Sequence, residues 1–198
     1  MPTFDLRYFR VAKYTYDKSK DEISYGAAES MGDAMTADLQ LKFAEGRCYA
    51  EGSLAEYLKI VTGGTISQGQ KYIPESALKL LFKAYELSRT VKSSSVKSIA
   101  YGKASTGQYV GSGFYAPDMI DGVEKFTAVF VHKVMFGPPG YSYKTLDQNI
   151  VFNTPTTTGE FLVDGKGHLL EFATCETEAD AAAWIDACFT AQPTAVSS

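Results

Sequence analysis

The longest regular pattern in the chain is a pair of apolar runs that meet at Asp121-Gly122. Residues 114–120 and 123–136 are rich in aromatic and β-branched side chains, which favour strands. An Asp-Gly pair between such runs is typical of a type I′ turn, because both central residues of that turn take a positive φ. Alternate residues from Phe126 to Phe136 form one apolar face on a strand longer than most. The pattern therefore predicts one long β-hairpin.

A second alternation of period two covers residues 35–46 and predicts a half-buried strand. Its polar face comprises Thr36, Asp38, Gln40 and Lys42, and its apolar face Ala37, Leu39, Leu41 and Phe43. Residues 46–53, GRCYAEGS, are predicted to be a connection bounded by glycines. Residues 54–69 are predicted to return as a strand, with a bulge or bend at Gly63-Gly64. One more strand is predicted over residues 6–16, followed by a loop over residues 26–33.

Two segments carry the 3.6-residue period of an amphipathic helix. The first, residues 73–86, has Pro74 near its start, and the second, residues 177–189, opens on Thr177 and Asp180 in a spacing that resembles a capping box. The apolar sides comprise Leu78, Leu81, Phe82 and Tyr85 in the first helix and Ala181, Trp184, Ile185 and Cys188 in the second. Between them, residues 87–108 are rich in Ser and Gly and predict a long loop.

The order of strands, helix, strands and helix predicts an α+β, β-rich fold with two helices packed against sheets. Residues 149–174 contribute three further predicted strands and a turn at Asp164-Gly165. No internal repeat or linker divides the sequence, so we expect a single domain over residues 1–190 and a flexible tail over residues 191–198. No apolar run in the sequence approaches the length of about 20 residues that spans a bilayer, and we expect no membrane partner.

Composition and charge narrow the class of partner. The chain has 198 residues, of which 45% are hydrophobic and 13% aromatic, with a net charge of -4. A basic surface that grips nucleic acid is not indicated, although DNA can slide past a mildly repulsive surface. Three cysteines, an odd number without a paired spacing, favour a reducing compartment over a disulfide scaffold.

The residues that carry chemistry do not form an active site in the sequence. His132 and His168 are far apart along the chain and, with three unpaired cysteines, make a poor metal-ligand set. His132 is predicted to be a hydrogen-bonded core or interface histidine, and His168 to be exposed. Asp118, Asp121 and Glu124 are predicted to share a solvated hairpin tip rather than a catalytic cleft. No nucleophile-elbow, P-loop or dinucleotide motif occurs, so we expect no enzyme, no cofactor and no metal.

The long strands raise the question of what pairs with their edges, since each strand carries rows of backbone donors and acceptors. A second copy of the chain can supply the missing partners, and head-to-tail contacts close into rings when the rotation permits. Alternatively, the long hairpin packs into an ordinary monomeric sandwich. The residues leave both arrangements open.

Five segments, in their order along the chain, resemble the major tail protein family of long, non-contractile-tailed bacteriophages, which forms the tail tube. They are residues 36–52 (TADLQLKFAEGRCYAEG), 62–81 (TGGTISQGQKYIPESALKLL), 111–139 (the long hairpin), 149–161 (NIVFNTPTTTGEF) and 177–189 (TEADAAAWIDACF). Together they cover most of residues 35–189. The sequence departs from the family at Gly52, where many relatives carry a second acidic residue.

The resemblance implies a β-sandwich or partly open barrel of the tail-tube type, flanked by two helices. It implies hexameric rings that stack into a tube for DNA ejection, with tape-measure, tail terminator and tail-tip proteins as partners. The protein would then belong to the virion tail, and to the host cytoplasm during assembly. Expected inter-ring contacts are Arg47, Tyr49 and Glu51 in the loop over residues 44–54, and Arg89 and Lys92 in the loop over residues 87–108. Expected lumen-facing residues are Thr36, Asp38 and Gln40.

Two other classes remain open at this point. Contractile injection systems and type VI secretion systems use tube subunits of similar fold. A monomeric β-sandwich binding module, for example one for carbohydrate, needs an exposed aromatic platform, whereas most aromatics here fall on alternating strand positions that predict a core.

Overall fold

The computed structural model describes residues 5–50, 53–143 and 154–190, without the side chains of residues 50 and 53–55. The described part contains eleven strands and two helices. They are β1 (Arg7–Asp17), β2 (Glu22–Tyr25), β3 (Glu29–Ser30), β4 (Ala34–Ala50), β5 (Ser53–Gln70), α1 (Glu75–Phe82), β6 (Tyr85–Val91), β7 (Ser94–Ala100), β8 (Tyr109–Ile120), β9 (Val123–Phe136), β10 (Thr156–Leu162), β11 (Leu170–Cys175) and α2 (Glu178–Thr190).

One antiparallel sheet organises the molecule, in the order β2-β1-β8-β9-β10-β5-β4. Strand β9 is its centre, with β8 along one side and both β11 and β10 along the other. Within the described residues this sheet does not close into a barrel. The prediction of a β-rich fold with two helices is confirmed, whereas the tail-tube type of sandwich or barrel stays a prediction.

The long hairpin is β8–β9, and its turn follows the sequence prediction. The pairing between β8 and β9 continues up to the turn, where Ile120 pairs with Val123. Asp121 has φ 52° and Gly122 φ 78°, the two positive values that a type I′ turn requires.

Strand β9 is buried on both faces, which corrects the predicted single apolar face. Ala128 and Phe130 pack against α2, whereas Val131 and Val134 belong to the main core with α1. The register with β8 shifts between Val131 and Val134. Such a bulge reverses which alternate residues face each side, so one period-two face does not continue along the strand.

The first helix is shorter than predicted. It ends at Phe82 because Lys83 adopts a left-handed conformation, φ 50°, which ends helices even where no glycine marks the position. Tyr85, predicted on the apolar side of this helix, instead begins β6 and is exposed. The second helix lies where it was predicted and buries Ala181 and Ile185 of its predicted apolar side. Trp184 and Cys188 are only half-buried, and Phe189, which was not predicted, is the third buried residue.

Two segments predicted as connections are strands. Residues 46–50 continue β4 and Ser53 begins β5, so the predicted connection over residues 46–53 is wrong. The loop predicted over residues 87–108 is largely the hairpin β6–β7. Residues 154–174 contain two of the three predicted strands, β10 and β11, and residues 149–153 lie outside the described residues, as does the predicted tail over residues 191–198.

Candidate functional site

The β4–β5 hairpin extends beyond the rest of the sheet. Strand β10 pairs with β5 only as far as Gly63, whereas the ladder between β4 and β5 continues from Phe43–Val61 to Ala50–Ser53. We call residues 43–50 and 53–61 the arm. At about 3.4 Å per residue, the eight residues from 43 to 50 reach about 27 Å past the last three-stranded position. A projection of this length presents two faces that a neighbouring molecule can contact.

On one face of the arm, the charged side chains pair with each other. Lys59 Nζ lies 3.2 Å from Glu45 Oε1 and 4.5 Å from the centre of the Phe43 ring, and the Arg47 guanidinium lies over the Tyr57 ring. The hydrogen bond from Lys59 holds the pKa of the Glu45 carboxyl below its usual value. The charged side chains of this face are therefore paired, although Phe43, Tyr57 and Val61 on the same face keep 45%, 48% and 37% of their surface exposed.

The opposite face of the arm is apolar over its first half, and beyond that half the exposed Glu56 lies opposite Cys48. Cross-strand partners share a face, and here Ala44 pairs with Ile60 and Gly46 with Leu58. Leu58 keeps 61% and Ile60 53% of its surface exposed. Burying a Leu or Ile side chain fully is worth about 1.5–3 kcal/mol, so this face favours a contact with another apolar surface.

The β6–β7 hairpin forms a separate two-stranded sheet, and it also exposes apolar side chains. One of its faces carries the exposed side chains of Tyr85, Leu87, Val91 and Val96, together with Arg89, which pairs with Val96. A two-stranded hairpin with an exposed apolar face is marginal in water by itself, because it lacks a surface against which to pack. This hairpin is a second candidate contact surface.

The structure divides the predicted inter-ring residues between these two hairpins. Arg47 and Tyr49 lie in strand β4 on the arm rather than in a loop, and the Tyr49 side chain is largely exposed. Arg89 lies in β6 and Lys92 in the β6–β7 turn, again not in a loop of 22 residues as the prediction had it. Glu51 lies outside the described residues.

The predicted lumen residues share one exposed face of the sheet. Thr36, Asp38 and Gln40 are exposed and align with Gly69, Ser67 and Thr65 of β5, and through them with Thr156, Thr158 and Glu160 of β10. The contribution of β10 was missed, although the alternation in its sequence, TTTGE, was the available signal.

The charge on this sheet face is mixed and slightly acidic. Lys42 Nζ lies 2.6 Å from Glu160 Oε1, and this hydrogen bond holds the pKa of Glu160 below its usual value. Asp38 adds a second carboxylate to the same face. The hydroxyls and amides around them make a hydrated surface with little attraction for a polyanion.

Strand β4 is the terminal strand of the sheet, and β2 is the strand at the other end. An edge strand presents unpaired main-chain groups to which a strand of another chain can add. An open sheet with an edge at each end can continue into the same sheet of a neighbouring copy.

The two histidines lie together, contrary to the sequence prediction. Their rings are 5.1 Å apart, next to Asp164. His132 is a buried, hydrogen-bonded core histidine as predicted, and burial lowers its pKa. His168 is half-buried rather than exposed. No sequence signal could have grouped these residues, because the β10–β11 connection brings them to β9.

The predicted carboxylate cluster at the tip of β8–β9 is also corrected. Asp118 is buried and accepts a hydrogen bond from the Thr127 hydroxyl at 3.3 Å. Asp121 and Glu124 remain exposed near the turn. The tip therefore does not carry three solvated carboxylates.

Comparison with protein-family models finds no match to this chain, and comparison with curated proteins finds none. In the part of the chain that the structure describes, neither helix has the length and apolar character needed to cross a membrane.

Proposed function

We propose that the protein is a structural subunit of a phage tail tube of the long, non-contractile type. The observation that carries this proposal is the arm, which exposes apolar side chains on both faces, among them Leu58 and Ile60 on the face without paired charges. A second copy of the chain is the partner we propose for the apolar face.

The sheet supports the same proposal from a different direction. If the edge of β4 pairs with a neighbouring copy, the sheets of successive subunits continue around a ring. The face bearing Thr36, Asp38 and Gln40 then lines the central channel. A hydrated, slightly acidic lining lets DNA pass without binding it.

The resemblance of the five sequence segments supports the remaining parts of the proposal. These are stacked hexameric rings, the partnership with tape-measure, tail terminator and tail-tip proteins, assembly in the host cytoplasm and incorporation into the virion tail. The chain acts as a structural protein without enzymatic activity.

The proposal is tested by concentrating the purified chain and imaging it by negative-stain electron microscopy. We expect stacked rings or hollow tubes from the wild-type chain. The double variant Leu58→Asp, Ile60→Asp is expected to stay unassembled at the same concentration, because two carboxylates oppose burial of the apolar face. Its thermal unfolding should match that of the wild type, since both side chains are exposed.

The matched control is Val123→Asp, which also adds a carboxylate at an exposed aliphatic position of a hairpin but lies outside both candidate surfaces. It is expected to assemble normally. Assembly of the Leu58→Asp, Ile60→Asp variant to the wild-type extent would rule out the arm as the contact. Wild-type particles of monomer size that give a glycan-array signal would favour the binding-module class instead.

A further inference from the structure

Three side chains converge at the junction of β9 with the β10–β11 connection. Asp164 Oδ2 lies 3.3 Å from His168 Nδ1 and 3.6 Å from His132 Nδ1. The three atoms all lie within 4.8 Å of one another. Each is an atom that can ligate a metal ion.

The turn over residues 164–168 holds two of these groups in place. The main-chain N–H groups of Lys166 and His168 both donate to Asp164 Oδ1 at 2.8 Å. The N–H of Asp164 donates to the His168 carbonyl at 2.8 Å, and Gly167 takes φ 92°, which a side chain would disfavour. Oδ1 is thus committed to the turn, and Oδ2 is left facing the imidazoles.

Two atoms of this cluster are buried and lack hydrogen bonds within the described residues. They are Asp164 Oδ2, on a side chain that is 0% exposed, and His168 Nδ1. A buried carboxylate oxygen without a partner is costly, since it has lost its hydration. The arrangement is therefore incomplete as a hydrogen-bonded cluster, and a cation would complete it.

The third group is oriented by a neighbouring carboxylate. His132 Nε2 lies 2.8 Å from Glu171 Oε1, so Nε2 carries the proton and donates to Glu171. Nδ1 then carries a lone pair, and it lies 3.6 Å from Asp164 Oδ2 and 3.5 Å from the Tyr25 hydroxyl. A carboxylate behind the distal nitrogen of a metal-binding histidine is the usual arrangement in metal sites.

We propose that His132 Nδ1, Asp164 Oδ2 and His168 Nδ1 bind a divalent transition-metal ion, with Zn²⁺ as the best match and water at the fourth position. Ligands about 2.0–2.1 Å from a tetrahedral ion lie about 3.3 Å from each other, close to the two separations given above. Two imidazoles select against Mg²⁺ and Ca²⁺, which prefer all-oxygen ligands.

The ion would tie the central strand β9 to the connection between β10 and β11, because His132 comes from β9 and the other two ligands from that connection. Metal binding would then stabilise the folded subunit. This inference stands independently of the proposed tail-tube function.

The test uses the full chain, freed of metal with a chelator, and follows thermal unfolding with added Zn²⁺ or Mg²⁺. Zn²⁺ at about 100 times its Kd is expected to raise Tm by about 5–10 °C. Mg²⁺ at the same concentration should leave Tm unchanged. Titration calorimetry should give a stoichiometry of a single Zn²⁺ per chain.

The variants His168→Ala and Asp164→Asn are expected to lose the Zn²⁺-dependent rise. In Asp164→Asn, the amide oxygen can still accept the hydrogen bonds of the turn. Because His168 is only half-buried, His168→Ala remains informative if Asp164→Asn fails to fold. The matched control Lys166→Ala lies in the same turn, contributes only its main-chain N–H and should keep the rise.

The thiol of the exposed Cys48 is a competing ligand for added Zn²⁺. Co²⁺ distinguishes binding at the His132, Asp164 and His168 cluster from binding at Cys48. Nitrogen and oxygen ligands give visible absorption, whereas a thiolate adds a sulfur-to-cobalt charge-transfer band. The proposal is overturned if Zn²⁺ leaves the wild-type Tm unchanged, if His168→Ala keeps the full rise, or if bound Co²⁺ shows the thiolate band.

Discussion

Gly64 on β5 pairs with Phe161 on β10, and the Phe161 ring covers it in the core. A methyl group at Gly64 would collide with that ring and with the main-chain oxygen of Gln40. The register shift predicted at Gly63-Gly64 lies one residue earlier, at Thr62, so Gly64 serves close packing rather than the bulge itself.

The variant Gly64→Ala is therefore expected to lower the free energy of unfolding by about 1–3 kcal/mol, because the backbone oxygen cannot move aside cheaply. Urea denaturation measures this difference. Gly46→Ala is the control, since a Cβ at Gly46 meets no atom within 4 Å, and its effect should stay within about 0.5 kcal/mol. Equal stability of the two variants would contradict the packing described at Gly64.

At the scale of single elements, the N-terminus of α2 depends on a side-chain pair. The Thr177 Oγ1 accepts the Asp180 N–H at 3.2 Å, and the Thr177 hydroxyl donates to Asp180 Oδ2 at 2.7 Å. The predicted capping box is thus present in modified form, since Asp180 binds the hydroxyl rather than the main-chain N–H of the cap.

Removing the cap with Thr177→Ala is expected to cost about 1 kcal/mol, which lowers Tm by about 2–4 °C in a domain of this size. Circular dichroism during thermal unfolding measures the shift. Thr190→Ala, at the other end of α2, is the control and should change Tm little. The Thr190 hydroxyl donates to the main-chain carbonyls of Asp186 and Ala187 in the last turn and caps no N–H group. A Thr177→Ala protein that melts with the wild type would show that the cap is energetically unimportant.

The β6–β7 turn carries an unfavourable sequence for its geometry. Lys92 has φ 54° and Ser93 φ 93°, so the two-residue loop between Val91 and Ser94 needs two positive φ angles without a glycine. This hairpin was predicted as a loop because residues 87–108 are rich in Ser and Gly, and its turn lacks the Asn-Gly or Asp-Gly pair that indicates a hairpin.

Replacing Lys92-Ser93 with Asn-Gly is expected to stabilise the hairpin by about 0.5–1 kcal/mol, since those residues accept positive φ. Amide hydrogen exchange of β6 and β7 is the measurement, and protection should rise about two- to five-fold, following from that free energy at 1.4 kcal/mol per tenfold. Ser93→Ala serves as the opposite control and should not raise protection. Unchanged exchange in the Asn-Gly variant would show that the turn does not limit hairpin stability.

At the scale of the whole molecule, the polar sheet face can be tested for its place in an assembled tube. Tubes assembled from Asp38→Lys, Gln40→Lys protein are expected to retain DNA several-fold more than wild-type tubes at low salt, because ammonium groups along the channel bind phosphates. Co-sedimentation with DNA at two salt concentrations measures retention, which should fall as salt rises.

The matched control for this variant is Val123→Lys, Glu124→Lys at the outer end of the β8–β9 hairpin, which makes the same change of charge at two exposed positions outside both candidate surfaces. Equal DNA retention by the two double variants would contradict the lumen assignment.

Tubes of contractile injection or type VI secretion systems remain the alternative assembly, and sheath genes beside the coding gene would indicate them.

The sequence by itself determines those features that depend only on neighbouring residues, such as the alternation of side chains along a strand and the backbone angles of a tight turn. The period-two pattern of residues 35–46 correctly placed Thr36, Asp38 and Gln40 on an exposed face, since successive side chains of any strand point to opposite sides. Its predicted half-buried face is only partly confirmed, because Leu41 and Phe43 are 43% and 45% exposed. The Asp121-Gly122 turn was predictable because only certain residues adopt its backbone angles cheaply.

Tertiary structure decided what depends on residues far apart in the chain. The bulge that turns Val131 and Val134 to the same side of β9 depends on the register with β8, which no window of the sequence contains. The cluster of His132, Asp164 and His168 exists only because the β10–β11 connection packs beside the central strand. Local sequence specifies the backbone angles of each element, whereas contacts between elements decide which side chains meet.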